Sequence, residues 1–255
     1  ELSGASPPFR VLRSILSQQH GPPADTMKLV FQALLPILLC SAKRGSGSSI
    51  PKAAIACRNA AAGFVSELMS GECKDHPVNL VALCQHMCMK VSERAEYRRS
   101  TCQTAVKLLL LAPDEQLSQF TRFLTKYSKN EKALYRHFSC DVSLELVTQM
   151  RDVTLNTSAA FTILKGRAAD KAPTVRAKAL VQLSACLMGP RSGDLLGNGT
   201  AVDSLLSVAR ARSRDAKPMV RKAGVQLLCA VLQCCVSGAA EDGTCGQPGS
   251  EMEAV

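Results

Sequence analysis

Apolar residues recur at three- and four-residue intervals along most of the chain, in blocks separated by short polar stretches. This periodicity is typical of amphipathic α-helices, and no segment alternates convincingly with the period of two that a half-buried strand requires. Proline and glycine mark the ends of the blocks. The pattern predicts an all-α protein with helices over residues 9–19, 26–42, 51–70, 77–92, 95–111, 114–127, 132–152, 157–168, 173–188, 201–213 and 218–237.

The blocks divide the chain into three regions. Residues 1–25 are predicted to form a flexible lead-in with one short helix, and residues 26–237 carry the array of longer helices. Within that array a Gly/Ser stretch at 43–49 and a Gly-rich stretch at 189–200 are predicted to be loops. Residues 238–255 are rich in Gly, Ala, Glu, Asp and Ser, and they are predicted to be a disordered tail.

The sequence around two of the predicted helix starts repeats. Residues 170–176 read Asp-Lys-Ala-Pro-Thr-Val-Arg and residues 215–221 read Asp-Ala-Lys-Pro-Met-Val-Arg, so Asp, Pro, Val and Arg recur 45 residues apart. The Val position has aromatic counterparts upstream, which gives positions 97, 135, 175 and 220 with spacings of 38, 40 and 45 residues. Such a period is typical of HEAT and armadillo units, whose helix pairs stack because one pair cannot bury its apolar stripe alone. The sequence therefore predicts a HEAT-repeat α-solenoid, a superhelix of antiparallel helix pairs.

The recurring Asp and Arg have a catalytic and a structural interpretation. Asp170 with Arg176 resembles a catalytic carboxylate that is oriented by a cation. The same pair recurs as Asp215 with Arg221, and an active site does not usually repeat with the fold. We therefore expect the carboxylates to accept backbone N–H groups where a helix begins, and the arginines to help hold the stack together.

Composition adds a core without tryptophan and with many cysteines. Aromatic residues make up 4 % of the chain, so the core must consist mainly of Leu, Val, Ala and Cys. Most of the twelve cysteines lie in apolar helical stretches, which predicts free, buried thiols in a reducing compartment. Cys84 and Cys88, with His86 between them, are the one cluster that resembles metal ligands, and no second pair follows at zinc-site spacing. We expect packing there, with no metal and no cofactor.

Positive charge points to a polyanionic partner. The chain has 31 Lys and Arg against 21 Asp and Glu, a formal net charge of +10. A solvated face is the competing interpretation, but two runs are dense enough to contact phosphates without reading sequence. The candidate DNA-binding residues are Arg210, Arg212, Arg214, Lys217, Arg221 and Lys222 in the first run, and Arg122, Lys126, Lys129 and Lys132 in the second. Arg136 continues the second run, and Arg221 is also expected to have the structural duty described above.

A membrane or a small-molecule substrate is not expected as a partner. The longest apolar run, residues 29–40, is broken by Gln32 and Pro36 and is shorter than the ~20 residues that a spanning helix needs. No P-loop motif is present, and the four histidines are widely spaced without a metalloprotease or nucleophile motif. We therefore expect no enzymatic activity.

The repeat motifs resemble a known family. Residues 170–180 and 215–223 are similar to the HEAT motifs of the CAP-D subunits of condensin, and residues 91–98 and 126–129 look most like the condensin II version. The similarity covers roughly residues 29–233. It implies an internal fragment of a longer scaffold subunit, located on chromosomes in the nucleus. Such a subunit binds the kleisin of an SMC ATPase ring and helps to hold DNA during mitotic chromosome condensation.

Two rival functions remain open at this point. HEAT-like DNA glycosylases are also basic and helical, and they hold a damaged nucleotide with aromatic residues and a carboxylate. This chain lacks Trp and has three tyrosines, Tyr97, Tyr127 and Tyr135, of which two fall at repeat positions. An importin-like or adaptor scaffold that binds peptides is the other rival, and the charge of +10 weakens it because such arrays often have acidic inner surfaces.

Overall fold

The structure, a computed structural model, describes residues 7–16, 18–40, 49–70, 79–150, 155–189, 192–196 and 199–242. All regular structure in these ranges is helical, which confirms the predicted all-α class. The α-helices, in chain order, are α1 (Pro7–Ile15), α2 (Pro23–Leu38), α3 (Lys52–Ser70), α4 (Leu80–Met89), α5 (Ala95–Leu109), α6 (Asp114–Tyr127), α7 (Ala133–Gln149), α8 (Leu155–Arg167), α9 (Pro173–Leu187), α10 (Ser192–Leu196), α11 (Gly199–Ser213) and α12 (Pro218–Asp242).

The predicted helix ends lie within four residues of the observed ones except at the end of the last helix, and one predicted loop contains a short helix. The Gly-rich stretch 189–200 is not a plain loop, because Leu195 and Leu196 give α10 an apolar side that packs beside α9, α11 and α12. The last helix was expected to end near residue 237 and continues to Asp242. The rest of the predicted tail and most of the Gly/Ser stretch at 43–49 lie outside the described residues.

The chain divides into two compact units, one up to Ile163 and one from Leu164 onward, with the division inside α8. In the first unit α2 packs on α3, α3 on α5, and α4 against α5, α6 and α7. Its largest fully buried side chains include Phe64, Phe120 and Phe138. α1 also belongs to this packing, because the Phe9 ring stacks on Phe64 with 5.0 Å between the ring centroids.

The second unit consists of α9 to α12, with α12 packed along both α9 and α11. Val175, Leu183 and Leu227 are fully buried in its core. Gly224 allows α12 to cross the end of α11 closely, since a Cβ atom at this position would lie 2.7 Å from the backbone nitrogen of Ser213. Position 224 therefore has no room for a side chain where α12 crosses α11.

Among the residues that the structure describes, one stretch of the last helix, Pro218–Val236, is long and apolar enough to span a membrane. A helix in the core of a protein can have the same length and apolar composition. Val220, Leu227 and Val231 of this stretch are fully buried, and they lie on a helix that packs against two neighbours. Packing against α9 and α11 therefore accounts for the buried apolar residues of this stretch, whereas Val225 and Leu232 stay exposed.

Most of the described cysteines pack as predicted, with three exceptions. Cys84 and Cys88 are fully buried, and burial raises the pKa of the Cys88 thiol to about 12, so this thiol stays protonated. Cys57, Cys229 and Cys235 were expected to be packing residues and are exposed, because each lies on the outward side of its helix. The spacing of small and apolar residues therefore predicts where a helix forms, but it does not predict which side of the helix is buried.

Candidate nucleic-acid interface

The turns before four of the helices have the same hydrogen bond. In each turn, a side-chain oxygen accepts a hydrogen bond from the backbone N–H group two residues later, with 2.9 to 3.1 Å between the nitrogen and the oxygen. The acceptors are Ser92, Asn130, Asp170 and Asp215, at spacings of 38, 40 and 45 residues. The expected role of the two Asp residues is confirmed, and Ser92 and Asn130 are counterparts that the sequence comparison missed.

An arginine stands six residues after each acceptor and closes the same turn. Its Nη1 atom donates to backbone carbonyls five or six residues earlier, at 2.6 and 2.9 Å for Arg136, 2.8 and 3.2 Å for Arg176, and 3.1 Å twice for Arg221. Arg98 makes the corresponding bond to the Glu93 carbonyl. The structural interpretation of the recurring Arg is therefore confirmed. Arg136 is buried by this role, which removes it from the candidate basic surface.

One of these arginines also joins two turns of the second unit. Nε and Nη2 of Arg176 each donate to a carboxylate oxygen of Asp215 at 2.9 Å, in a two-pronged ion pair. The side chains are 13 % and 5 % exposed, so the pair is largely shielded from water. Hydrogen bonds from Arg176, with further help from the Lys217 N–H, hold the pKa of Asp215 below its usual value.

The first candidate run becomes a basic cluster whose members have different duties. Arg212 donates to Asp215 at 3.3 Å, and Arg221 is engaged with two carbonyls as described above. The remaining four side chains are exposed and make no ion pair with a described residue. These four, which we call the turn cluster, are Arg210, Arg214, Lys217 and Lys222, placed where α11 ends and α12 begins.

Lys171 is an additional candidate that the sequence comparison missed. It is exposed in the turn before α9, and its carbonyl accepts from Arg176, which in turn holds Asp215 beside the turn cluster. The signal for it was present in the sequence, since Lys171 occupies the turn of residues 170–176 that repeats as 215–221. A positively charged surface can therefore extend from one turn of this unit to the next.

The second candidate run lies in the first unit. Arg122 and Lys126 are one helical turn apart on α6, Lys129 follows in the turn, and Lys132 precedes α7. All four are exposed, and the Lys132 ammonium group lies 5.5 Å from the Tyr135 ring centroid. This arrangement offers cations on a helix end and the adjoining turn, as in the turn cluster.

The tyrosines are used for packing. The Tyr127 hydroxyl donates to the Cys88 carbonyl at 2.8 Å and the Tyr135 hydroxyl donates to the Met89 carbonyl at 3.3 Å, with the two rings stacked 5.2 Å apart. Tyr97 is 2 % exposed. None of the three therefore offers a free ring face of the kind that a flipped nucleotide needs.

The fold and the site define a HEAT-repeat protein built of helix pairs whose turns carry basic side chains. No family model matches the chain. The Condensin-2 complex subunit D3 of Mus musculus is 35 % identical over 191 residues, which cover 68 % of this chain and 12 % of that protein. The Condensin-2 complex subunit D3-L of Xenopus laevis is 30 % identical over a 290-residue alignment, which covers 84 % of this chain and 19 % of that protein.

These relatives confirm the resemblance that the repeat motifs indicated, and the chain belongs to the condensin II D3-type family over the matched region. It spans less than a fifth of the length of either relative. Among solved structures, an engineered protein aligns with 88 % of this chain at a TM-score of 0.40 and 13 % identity. Such a distant alignment adds nothing to the assignment.

Proposed function

We propose that this chain is a non-catalytic scaffold element of a condensin II-like complex that binds the kleisin, and through it the SMC subunits, and contacts duplex DNA on mitotic chromosomes in the nucleus. Membership of the D3-type family supports the place in the complex. The observation that carries the DNA contact is the turn cluster, in which four exposed cations have no acidic partner among the described residues.

The turn cluster suits phosphate contact without sequence reading. Lys217 and Arg214 lie in one turn, and Arg210 and Lys222 flank it on the ends of α11 and α12, so the four charges spread over one end of a helix pair. Each cation that neutralises a phosphate releases condensed counterions, and the affinity then falls steeply with salt. The sequence carries no recognition-helix motif at this cluster, so we expect no base preference.

The DNA contact is tested by reversing two charges of the turn cluster. Arg214→Glu with Lys217→Glu is compared with Lys52→Glu plus Lys107→Glu, which change the net charge equally at exposed positions of α3 and α5 outside both basic runs. Arg212 is left unchanged because it supports Asp215. We expect the first variant to bind duplex DNA more weakly and with a salt slope lower by about 2, and the control to keep the native slope. Equal slopes in both variants would refute the DNA contact.

The place in the complex is tested by co-purification with the condensin II kleisin. The native chain and the Arg214→Glu, Lys217→Glu variant are expected to retain the kleisin equally, because the scaffold contact does not depend on the turn cluster. A folded native chain that fails to retain the kleisin would contradict the proposal for this part of the subunit. Alkylated DNA is expected to pass through unmodified in the same preparations, since Tyr97, Tyr127 and Tyr135 are engaged in packing.

A further inference from the structure

The turn that follows α2 holds a side chain where many helices have glycine. Cys40 has a φ of 48°, in the left-handed region, and its backbone N–H donates to the Ile37 carbonyl at 3.0 Å. Glycine is common in this place after a helix because a Cβ atom disfavours the left-handed conformation. Among the non-glycine residues that the structure describes, Cys40 is the one with a positive φ. The fold thus keeps a thiol at a position whose backbone favours glycine.

The Cys40 thiol lies in a small buried cluster beside α3. The side chain is 6 % exposed, packs with Ile50 and Tyr97, and donates from Sγ to the Ala54 carbonyl at 3.7 Å. Burial raises the pKa of this thiol above its usual value, so the thiol is protonated at neutral pH. A protonated, buried thiol is a poor target for a dissolved oxidant.

A cation and a hydroxyl group stand beside the Cys40 thiol. Arg58 of α3 donates from Nη1 to the Ser100 hydroxyl of α5. Burial is the larger influence on the pKa of the Cys40 thiol, and Arg58 and Ser100 oppose it. A guanidinium group in this place stabilises the thiolate when the proton leaves. The thiol is therefore protonated before it reacts and has a positive charge beside it when it does.

A second thiol lies on the same turn of α3. Cys57 is exposed, and it follows Ala54 by three residues, so these two side chains are neighbours on the helix surface with roughly 5–6 Å between their Cβ atoms. The Ala54 carbonyl that accepts from Cys40 therefore marks a point on α3 next to Cys57. Cys57 is also near enough to Cys40 to influence its charge. One thiol of the pair meets solvent and the other is buried.

We propose that Cys40 and Cys57 are an oxidation site, at which hydrogen peroxide forms a reversible disulfide between the turn after α2 and α3. The exposed Cys57 thiolate attacks the O–O bond, which gives a sulfenic acid and hydroxide, and the proton that Cys57 has lost converts the hydroxide to water. The Cys40 sulfur then attacks the sulfenic sulfur, the S–O bond breaks, and the Cys40 proton leaves with the hydroxyl group as a second water. The two thiols lose two electrons in total, and the peroxide gains them. Exchange with a dithiol reverses the modification.

The oxidation site does not depend on the proposed function. It involves residues of the first compact unit alone, whereas the turn cluster belongs to the second. A failure of the DNA contact would therefore leave this proposal unaffected, and the reverse also holds.

The test treats the native chain with hydrogen peroxide and maps the disulfide by mass spectrometry. Trypsin places Cys40 in peptide 29–43 and Cys57 in peptide 53–58, and neither peptide contains another cysteine. We expect the two peptides to be joined in protein that is still monomeric, and dithiothreitol to separate them. Cys84 and Cys88 should stay reduced in the same sample, because both are fully buried.

Substitutions separate the two chemical steps. In Cys40→Ser the sulfenic acid on Cys57 has no partner, so dimedone should trap about tenfold more of it than in the native chain. In Arg58→Gln the sulfenic acid should form at the native rate, but the disulfide should form about tenfold more slowly because the Cys40 thiolate has lost its cation. Cys57→Ser should leave Cys40 reduced. Cys229→Ser removes another exposed thiol and is the matched control, in which the disulfide should form as in the native chain.

The proposal is wrong if peroxide converts Cys57 to sulfenic or sulfinic acid while Cys40 remains a thiol, because the two sulfur atoms then do not meet. It is also wrong if Cys57 pairs only with a cysteine of a second chain, or if Cys40 is oxidised as fast in Cys57→Ser as in the native chain. The last comparison holds even if Cys40→Ser does not fold, since Cys57→Ser alters an exposed side chain. Equal rates of disulfide formation in Arg58→Gln and the native chain would overturn the role given to Arg58.

Discussion

Replacing Arg176 with alanine is expected to destabilise the second unit by about 3 kcal/mol. The side chain makes two 2.9 Å bonds to Asp215 and two bonds to carbonyls of its own turn. Removing one partner of a buried ion pair typically costs about 3–5 kcal/mol, because the other charge is left without compensation. The lower end applies here, since Arg212 and the Lys217 N–H still contact the carboxylate.

Arg221→Ala is the matched control, because the chain repeats the same turn without the ion pair. It removes two carbonyl bonds of 3.1 Å from an exposed side chain, which we expect to cost about 1 kcal/mol. The difference of about 2 kcal/mol isolates the contribution of the pair with Asp215. Both variants keep the helix sequence otherwise intact and remove one positive charge, so net charge cannot account for a difference between them.

Native-state hydrogen exchange of the buried amides of α9 and α12 is the assay, because it measures the opening of this unit and not of the whole chain. A difference of about 2 kcal/mol corresponds to about 30-fold faster exchange in Arg176→Ala than in Arg221→Ala. Equal exchange rates in the two variants would refute the reasoning, because the two-pronged ion pair between Arg176 and Asp215 would then contribute nothing to the stability of this unit.

Three further outcomes follow from the same contacts. Gly224→Ala should cost about 1–3 kcal/mol in urea unfolding, because the atoms that a new Cβ would meet are backbone and must shift. The stability difference between the native chain and Asp215→Asn should be constant between pH 5 and 7 and shrink as the pH falls below about 4, because the lowered pKa stabilises the fold only while the carboxylate is charged. Cys229 should react with iodoacetamide at pH 7.5 while Cys88 reacts only after unfolding, since one thiol is exposed and the other is buried and protonated.

The repeat could be predicted because its hydrophobic period and its turn residues follow local rules. Asp170 and Asp215 could be predicted to lie in turns because Asp commonly accepts backbone N–H groups where a helix begins, and both accept such a bond in the structure. Ser92 and Asn130 escaped the comparison because a turn of this kind needs an oxygen acceptor and not a particular residue. Similarity of sequence is a narrower criterion than similarity of hydrogen bonding.

The face of a helix that is buried could not be predicted as well as the helix. Cys57 follows three alanines and an isoleucine, and Cys229 lies among Leu, Ala and Val, so their sequence contexts resemble that of the buried Cys186. Which side of a helix meets a neighbour depends on how the helices stack. The exposed Val225 and Leu232 of α12 therefore resemble in sequence the residues 45 positions earlier in α9, which are buried. α10 was missed for a related reason: its two leucines lie in a Gly-rich stretch, and packing beside α9, α11 and α12 stabilises a short helix there.

The basic cluster needed the structure most, because a run of cations gives no indication of which ones are already engaged. The repeat indicated a structural role for Arg221, which bonds two carbonyls, but Arg212 looked equivalent to its neighbours in sequence and is engaged with Asp215. The side chains that remain for a ligand are those whose positions lie outside the recurring Asp and Arg of the repeat. The repeat thus separates the two duties: positions that recur hold the turns together, and positions that vary between turns, such as Arg214 and Lys217, are free to carry a function.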